Sequence, residues 1–401
     1  MLPLPSPEDF NYDLPENKIA FEPLKERDAS KLLMYRDGKI SDHVFTDVPD
    51  LLPEDSTIFF NETRVVMARI HAHIPVKNRI IEIFCLEAPH GQSVEQIMQQ
   101  KDNVVFRCLV GGARHWKSET LEIQYQTSFT LRLEMLEREE GTFLIGFSWD
   151  ADLSFAEILD ALGKVPLPPY IRRDANESDF DRYQSIFAQT KGSVAAPTAS
   201  LHFTENIMQR IHDRGIQSQA LTLHVGGGTF LPVKENDLSK HRMHSEEMVI
   251  SSEVIRTLQN RMNNRIAVGT TSIRFLESLY WLGVKAIHQP ESFNWNLEQW
   301  DAYELPQNTP ENMVWLKLEE LLSHGHIYAK TSLMIIPGYT YRVVHAMFTN
   351  FHQPKSTLLM LVSGCIGEDW RSVYHHALKN NYRFLSYGDS NLYFFNKAQQ
   401  A

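Results

Sequence analysis

The chain has few cysteines, no excess of positive charge and no long apolar run, and each shortage excludes a class of protein. Its three cysteines, Cys85, Cys108 and Cys365, are far apart and form no CxxC pair. This excludes a disulfide scaffold and a cysteine-rich zinc module, and it predicts a reducing compartment. With 39 Lys and Arg against 50 Asp and Glu, the formal net charge of −11 excludes a uniformly basic nucleic-acid binder, although a local basic patch remains compatible.

Membrane and export signals are also missing from the pattern. The longest apolar stretch, residues 356–366, is much shorter than the roughly 20 residues that span a bilayer. The first residues have neither the basic nor the apolar region of a signal peptide. We therefore expect a soluble, cytoplasmic, monomeric protein with no membrane partner.

The chain has 401 residues, and its hydrophobic residues follow two different patterns along the sequence. Residues 71–150 contain short runs of period two, such as LEIQY at 121–125 and FTLRLEM at 129–135, which are typical of a small antiparallel barrel or sandwich. Strand and helix patterns alternate after about residue 153, which favours an α/β domain. The sequence therefore predicts a mixed α/β main domain (1–70 plus 151–401) with an inserted small antiparallel β-barrel (71–150).

Two segments combine glycine or hydroxyl residues with an expected strand end. LHVGGG at 223–228 would let backbone N–H groups approach a ligand closely, although a tight bend in the sheet is an equally simple explanation. AVGTTSIR at 267–274 reads as a strand, a turn and a helix capped by Thr271 or Ser272. The start of such a helix suits a carboxylate or phosphate, and ordinary capping is the alternative.

Three further segments carry polar residues beside structure-forming ones. His241 and His244 have a metal-like spacing without a third ligand, so coincidence, or a helix bearing a general acid or base, fits better than a metal site. In the segment 349–363, packing in the core accounts for the apolar residues. It does not account for the polar residues Asn350, His352 and Lys355. Residues 382–385 have a strand pattern.

Arg172 and Arg173 are candidates for contacts with phosphates. The alternative is that they are ordinary surface arginines.

Long stretches in collinear order cover nearly the whole chain: FNYDLPENKIA (10–20), RDASKLL (27–33), FFNETRVVMARI (59–70), PLPPYI (166–171), GSVAAPTASLHF (192–203), TLHVGGGTFLPV (222–233), HRMHSE (241–246), AVGTTSIRFLES (267–278), IIPGY (335–339), TNFHQPKSTLLMLVS (349–363) and YGD (387–389). They are distinctive, and with them the chain resembles the S-adenosylmethionine:tRNA ribosyltransferase-isomerases of queuosine biosynthesis. The resemblance implies the same fold that the patterns predict, an α/β main domain with an inserted barrel.

The resemblance also implies a reaction. The ribosyl portion of S-adenosylmethionine is transferred to the exocyclic amine of 7-aminomethyl-7-deazaguanine at the tRNA wobble position. It is isomerised to an epoxycyclopentane, giving epoxyqueuosine with loss of adenine and methionine. The sulfonium acidifies the C5′ protons so that a modest base can form an ylide. The methionine carboxylate needs an anion site, and the leaving adenine needs a proton or hydrogen bonds.

Residue roles follow from the matching motifs as hypotheses. S-adenosylmethionine is expected as a cosubstrate and tRNA as the partner, with no metal. The residues expected to take part in catalysis, as base or as carboxylates near the cation, are His224, His244, Glu246 and Asp389. Those expected to bind the cosubstrate are Gly226, Gly227, Gly228, Thr270, Thr271 and Arg274. Those expected to contact the acceptor or the tRNA are Asn61, Arg64, Arg172, Arg173, His202, Asn350, His352 and Lys355.

The chain departs from the family pattern at a few motif positions. It has Glu62 where the family has Asp, Ser200 where it has Gly, and Ser390-Asn391 where it has Ala-Met. These changes keep open a paralogous S-adenosylmethionine-using transferase with another amine or RNA acceptor. They also keep open a catalytically silent nucleotide- or RNA-binding homologue. A metal-dependent hydrolase built on the His-x-x-His pair is a remote further alternative.

Overall fold

The protein is described by a computed structural model over residues 3–89, 92–117, 119–139, 141–227, 237–260, 264–322 and 325–396. Within these ranges the strands are β1 Lys31–Arg36, β2 Lys39–Val44, β3 Thr57–Asn61, β4 Thr63–Val65, β5 Arg69–Ile74, β6 Arg79–Glu87, β7 Asn103–Gly111, β8 Leu121–Tyr125, β9 Phe129–Arg138, β10 Phe143–Trp149, β11 Thr190–Ser193, β12 Gln217–His224, β13 Glu246–Ser251, β14 Arg265–Val268, β15 Asn296–Leu297, β16 His326–Thr331, β17 Ala346–Asn350 and β18 Ser390–Phe394. The helices are α1 Val48–Leu51, α2 Val94–Gln99, α3 Phe155–Leu162, α4 Glu177–Arg182, α5 Glu205–Asp213, α6 Ser252–Asn260, α7 Gly269–His288, α8 Asp301–Glu304, α9 Glu311–Leu322, α10 Thr357–Ile366 and α11 Asp369–Lys379. None of these helices is long and apolar enough to cross a membrane.

A ten-stranded mixed sheet forms the centre of the larger domain, in the order β15–β16–β13–β12–β3–β14–β17–β18–β1–β2. The central strands β12, β3, β14 and β17 are parallel, whereas β18 is antiparallel to β17. Consecutive residues of β3 point to opposite faces, so Ile58 packs in the cluster that contains α5 and Phe59 in the cluster that contains α7. Because both faces are covered, β3, β14 and β17 are buried along almost their whole length, whereas β12 keeps an alternating pattern of burial.

A six-stranded antiparallel sheet forms the second unit, in the order β5–β6–β7–β10–β9–β8. Its first and last strands, β5 and β8, approach each other, so the sheet is nearly closed into a barrel. Alternate residues such as Leu131 and Leu133 point inward and are fully buried, which accounts for the period-two pattern. The predicted fold class, an α/β main domain with an inserted small antiparallel β-barrel, is confirmed.

The domain limits 71–150 and 1–70 plus 151–401 remain predictions. The barrel strands lie between residues 69 and 149, close to these limits. However, α3, which follows residue 150, packs into the same hydrophobic cluster through Phe155 and Leu159. The helix therefore belongs to the packing of the barrel although it lies outside the predicted insertion.

Most predicted elements form, and two predictions were wrong for local reasons. Helix α7 begins at Gly269, before the predicted caps, because a positive φ of 87° at this glycine turns the chain directly from β14 into the helix. Residues 382–385 are not a strand. Phe384 makes one isolated bridge to Ile19, and the N–H of Arg383 is taken by the Asp389 carboxylate at 2.7 Å.

Candidate functional site

A pocket at the carboxyl ends of β14 and β17 contains several predicted site residues. β14 continues directly into α7, and β17 ends at Asn350, so both strands reach the same edge of the sheet. In open α/β sheets, ligands bind beyond the carboxyl ends of the strands. We call this cavity the helix-terminus pocket. Its lining residues are Tyr170, Ala195, Ala196, Pro197, Thr198, Ala199, Val225, Gly269, Thr270, Thr271, Thr349, Asn350, Phe351, His352, Gln353, Ser356, Thr357, Leu358, Leu385 and Ser386.

Two long helices begin in this pocket. Thr270 and Thr271 are in the first turn of α7, and Ser356 is the N-cap of α10, with its Oγ accepting from the N–H of Leu359 at 3.2 Å. The first turn of a helix carries N–H groups without intrahelical acceptors and the positive end of the helix dipole. Two such ends in one pocket favour a negatively charged ligand group.

Neutral side chains supply the remaining polar groups of the helix-terminus pocket. Oγ1 of Thr198 donates to Oδ1 of Asn350 at 2.9 Å, and Nε2 of His352 lies 2.8 Å from Oγ1 of Thr349. Burial lowers the pKa of His352 to about 3, so its imidazole is neutral at pH 7. Because none of the described lining residues is charged, the helix termini dominate the electrostatics of the pocket.

A second cavity, the interdomain cleft, lies between the barrel and the main domain and has a volume of about 400 Å³. Glu87 and Arg107 line it from the barrel, and His224 lines it from the end of β12. Val225 lines both cavities and is therefore their common wall. The full set of lining residues is Leu86, Glu87, Ala88, Gln92, Val94, Phe106, Arg107, Gly192, His224, Val225, Gly226, Arg242, Met243, His244, Ser245, Glu247 and Lys330.

His224 is the most unusual residue of the cleft. Its side chain is buried, and within the part of the chain that the structure describes neither Nδ1 nor Nε2 has a hydrogen-bond partner. The ring lies directly on the backbone of Gly192, where a Cβ would be 2.7 Å from Nδ1. Burial lowers the pKa of His224 to about 4. A buried polar group left without a partner costs about 1–3 kcal/mol, so an imidazole in this state marks a position where a ligand can bind.

His244, two residues before β13, and Glu247, within β13, face the same cleft. The carboxylate of Glu247 accepts from Oγ of Ser93 at 2.9 Å, and burial raises its pKa. Desolvation in the cleft lowers the pKa of His244. The alternative of a helix around the histidine pair does not hold, because residues 241–245 are irregular. In the described part of the chain, no group of three His, Cys, Asp or Glu side chains could hold a metal ion.

The glycines after β12 differ in their surroundings. Gly226 lines the cleft, whereas Gly227 packs under the barrel, where a Cβ would be 2.7 Å from a methyl carbon of Leu86 and 2.9 Å from the ring of Phe84. Gly227 is thus required for close packing of the two domains. Gly228 lies outside the described residues.

Arg274 and Glu246, predicted as ligand-binding and catalytic residues, are paired with each other. Nη1 of Arg274 lies 2.6 Å from Oε2 of Glu246, both side chains are buried, and Nε of Arg274 donates to the carbonyl of Leu333 at 3.2 Å. Neither residue lines the helix-terminus pocket or the cleft. The pair joins α7 to β13, and in this arrangement its charges neutralise each other rather than those of a ligand.

Asp389 and Asn61 are buried at strand ends. The Asp389 carboxylate accepts from the backbone N–H groups of Lys31, at 3.0 Å, and Arg383, at 2.7 Å, while burial raises its pKa. The Asn61 side chain donates to the carbonyl of Leu223 at 2.9 Å and accepts from its N–H at 3.1 Å. These bonds fix β1 and the end of β3 relative to their neighbours. Neither residue lines either cavity.

The basic residues predicted to contact the acceptor or the tRNA differ in their exposure and in their ion pairs. Arg64 and Arg172 are exposed. Arg173 forms a bidentate pair with buried Asp179, at 2.6 and 2.9 Å, so its guanidinium is already engaged. Lys355 lies 2.7 Å from the carboxylate of Glu8.

His202 lies behind the helix-terminus pocket. Its Nε2 is 3.5 Å from Nδ2 of Asn350, which lines that pocket. His202 itself lines a smaller adjoining pit together with Arg27 and Arg182. The pit is therefore in contact with the predicted site through one shared layer of side chains.

Several cavity residues were not predicted from the sequence. Glu87 and Arg107 reach the cleft only because the barrel packs against the main domain, and no local pattern marks them. Ser356 and Tyr170 lie in recognised motifs, but their motifs do not indicate that they face the same pocket as α7. Only the three-dimensional arrangement brings them together.

The fold and its cavities define a class: a mixed α/β protein with an inserted barrel, an anion-favouring pocket at the carboxyl edge of its sheet and a polar cleft between the domains. Residues 7–393 match the family model described as queuosine biosynthesis protein. The chain is 36% identical over 391 residues to the S-adenosylmethionine:tRNA ribosyltransferase-isomerase of Azoarcus sp. (strain BH72), covering 96% of each chain. The protein of the same name from Geotalea uraniireducens (strain Rf4) is 35% identical, covering 95% of this chain and 98% of its own.

The chain therefore belongs to the queuosine biosynthesis protein family. A solved structure of an S-adenosylmethionine tRNA ribosyltransferase from Thermotoga maritima also aligns with it. That alignment has a TM-score of 0.46 and 25% identity, and it covers 96% of this chain and 100% of the other.

Proposed function

We propose that this protein transfers the ribosyl moiety of S-adenosylmethionine to 7-aminomethyl-7-deazaguanine at the tRNA wobble position and isomerises it, giving epoxyqueuosine-tRNA, adenine and methionine. Family membership over nearly the whole chain, with relatives named for this activity, supports the reaction. The single structural observation that carries the assignment of the site is the unpartnered, buried imidazole of His224 in the interdomain cleft. A cytoplasmic location and a monomeric state remain predictions.

The helix-terminus pocket is proposed to bind the methionine carboxylate of S-adenosylmethionine. The first turns of α7 and α10 both open into this pocket, through Thr270 and Thr271 and through Ser356 and Thr357. Their N–H groups and dipoles attract an anion without a charged side chain. Asn350 is placed to donate a further hydrogen bond. This arrangement replaces the predicted role of Arg274, whose charge is used by Glu246.

His224 is proposed to be the base that removes a C5′ proton next to the sulfonium. Its low pKa keeps the imidazole unprotonated at neutral pH, so a ring nitrogen can accept a proton, although with reduced basicity. The sulfonium itself compensates, because it acidifies the C5′ protons. The proton moves from C5′ to the imidazole, and the electron pair remains on the carbon as an ylide.

The cleft also offers carboxylates for a cationic cosubstrate. Glu247 and Glu87 line it, and Glu87 is shared with Arg107 at 2.7 Å. Val225 lines both the cleft and the helix-terminus pocket, so the two cavities are neighbours. The proposed binding mode has one extended ligand reach across Val225, with its carboxylate in the pocket and its reacting carbon near His224. His244 is then a secondary candidate for protonating the leaving adenine.

The decisive experiment uses purified enzyme, S-adenosylmethionine and a tRNA that carries 7-aminomethyl-7-deazaguanine at the wobble position. Mass spectrometry follows adenine, methionine and the modified nucleoside in single-turnover reactions. We expect all three products together from the wild type and none without the tRNA. His224→Ala should slow adenine release by roughly 10²–10⁴-fold, the usual contribution of a general base, with nearly unchanged cosubstrate affinity.

His212→Ala is the matched control, because His212 is an exposed histidine of α5 that donates to or accepts from Ser218 at 3.0 Å, far from both cavities. It should react like the wild type. Full turnover by His224→Ala would remove His224 from this role. Adenine release without nucleoside modification would instead show that the acceptor is different.

A further inference from the structure

A small pit adjoins the helix-terminus pocket, with Ser386 in the walls of both cavities. Its volume is about 20 Å³, and roughly 10–15 Å³ is enough for one water molecule. The pit therefore admits a single oxygen atom and excludes a nucleobase or a ribose. Its lining residues are Pro23, Leu24, Arg27, Ser30, Arg182, Leu201, His202, Ser386, Tyr387 and Gly388.

Two guanidinium groups face this pit. Arg27 donates to two carbonyls at the end of α4, at 2.7 Å each, and Arg182 donates back to two carbonyls just before Arg27, at 2.6 Å each. Nε of Arg182 is buried and has no hydrogen-bond partner among the described residues. Burial and then the charge of Arg182 lower the pKa of Arg27, so the two cations oppose each other. Among the described lining residues there is no carboxylate to neutralise them.

One further polar group in the pit lacks a counterpart. Oγ of Ser30 is buried, with the residue only 1% exposed, and no group in the described ranges forms a hydrogen bond with it. His202 carries no charge at neutral pH, because burial and the nearby arginines lower its pKa to about 4. Nη1 of Arg383, one of these arginines, is also buried without a partner. The pit thus combines two guanidinium groups, of which Arg27 is partly offset by the charge of Asp181, with the unused donors of Arg182 and Ser30, and this is the environment of an anionic oxygen.

We propose that this pit binds a non-bridging phosphate oxygen of the tRNA backbone beside the reacting nucleotide. The inference rests on the proposed function, since it needs a tRNA substrate. The size of the pit favours one oxygen of a polymer that lies over its mouth, and phosphodiesters are bound by arginine guanidinium groups in this way. The carboxylate of S-adenosylmethionine already has a place at the helix termini. The predicted contact Arg173, by contrast, is held by Asp179.

The test compares Arg182→Gln with the wild type in two binding measurements, on tRNA at several salt concentrations and on S-adenosylmethionine alone. We expect tRNA binding to weaken roughly tenfold, as for the loss of one charge-assisted hydrogen bond. The slope of log affinity against log salt should fall by about one, and cosubstrate affinity should not change. Arg210→Gln is the matched control, because Arg210 is also half-buried and donates to a carbonyl, that of Thr46, at 2.8 Å.

Ser30→Asp gives a second test that keeps both arginines. It places a carboxylate beside them, so it should fold stably and weaken tRNA binding at least as much as Arg182→Gln, whereas Ser30→Ala removes one neutral donor and should weaken tRNA binding less than either change. Weaker S-adenosylmethionine binding with unchanged tRNA binding would overturn the proposal in favour of a carboxylate site. Unchanged binding of both ligands would also overturn the proposal, because the arginines would then only hold neighbouring chain segments together. A wild-type protein that binds no tRNA would overturn the proposed function as well.

Discussion

The contact between His224 and Gly192 decides how the cleft can work at the level of single residues. The imidazole lies against the glycine backbone with no space for a Cβ between them. Any side chain at residue 192 would move the ring. The position of the proposed base is therefore set by a residue that has no functional group of its own.

Gly192→Ala should reduce the single-turnover rate nearly as much as His224→Ala. The new Cβ would lie 2.7 Å from Nδ1, and φ at residue 192 is +144°, a conformation that L-residues rarely adopt. We expect a loss of stability of about 1–3 kcal/mol together with the loss of rate. Urea unfolding and adenine release measure the two effects on the same sample.

Gly215→Ala separates strain from steric displacement in this experiment. Gly215 also has a positive φ, +75°, but nothing lies within 4 Å of its Cβ position. This variant should lose stability and keep its rate of adenine release. If Gly192→Ala retained the full rate, the ring would not need its observed position.

Arg274 and Glu246 show how far single residues can be predicted from the sequence. Motif position selected Arg274 at the start of α7, but its pairing with Glu246 depends on a strand 28 residues away in sequence. Sequence spacing contains no information about such a partner. His224 could be selected from the sequence because it lies at the end of a strand pattern and precedes glycines. That its ring nitrogens lack partners among the described residues is visible only in the structure.

Among the elements, α7 and α10 have the clearest functional consequence. Both helices are mainly apolar and buried, so packing fixes where their first turns lie. The sequence predicted both helices, and it predicted the Ser356 cap of α10 correctly. It could not predict that the two N-termini meet, because this depends on the order of β14 and β17 in the sheet.

Thr271→Asp should have opposite effects on stability and on cosubstrate binding. A carboxylate in the first turn of α7 interacts favourably with the helix dipole, by about 0.3–1 kcal/mol. The same carboxylate would repel the methionine carboxylate from the helix-terminus pocket, which Thr271 lines. We expect a higher thermal midpoint and a KM for S-adenosylmethionine raised at least tenfold.

Thr271→Asn is the neutral control for this change, since it adds a polar group of similar size without charge. It should affect KM only slightly. An unchanged KM in Thr271→Asp would place the methionine carboxylate elsewhere, and a lower midpoint would contradict the role of the helix dipole.

For the whole molecule, buried neutral histidines couple stability to pH. Burial lowers the pKa of His202 and His224 to about 4 and that of His352 to about 3, against roughly 6.5 in an unfolded chain. Between these values the unfolded state binds more protons, so stability rises with pH and is lost as pH falls below about 6.5. Each of these histidines should lower the free energy of unfolding by about 2 kcal/mol as pH falls from 7 to 5.

His352→Gln should lose one histidine's share of this pH dependence. Urea unfolding at pH 7 and pH 5 gives the difference for the variant and for the wild type, and the variant's difference should be smaller by about 2 kcal/mol. Buried carboxyl groups with a raised pKa, such as Glu277, contribute with the opposite sign but equally in both proteins. Replacing exposed His212 by Gln should leave the wild-type difference intact, and an equal change in both variants would contradict the interpretation.

At the scale of the whole molecule, the fold class could be predicted from the sequence because period-two and alternating patterns reflect burial directly. The interface between the two domains could not be predicted in this way. Glu87 and Phe84 belong to an ordinary barrel strand, and their contacts with the main domain follow from the packing of two surfaces. Local patterns determine which face of a strand is buried, but not which neighbouring domain covers it.

The two cavities differ in the parts of the chain that build them. Every residue that lines the helix-terminus pocket comes from outside the barrel strands, whereas the cleft takes part of its wall from β6 and β7. Changes in the inserted domain can therefore alter what enters the cleft while the pocket at the helix ends stays intact.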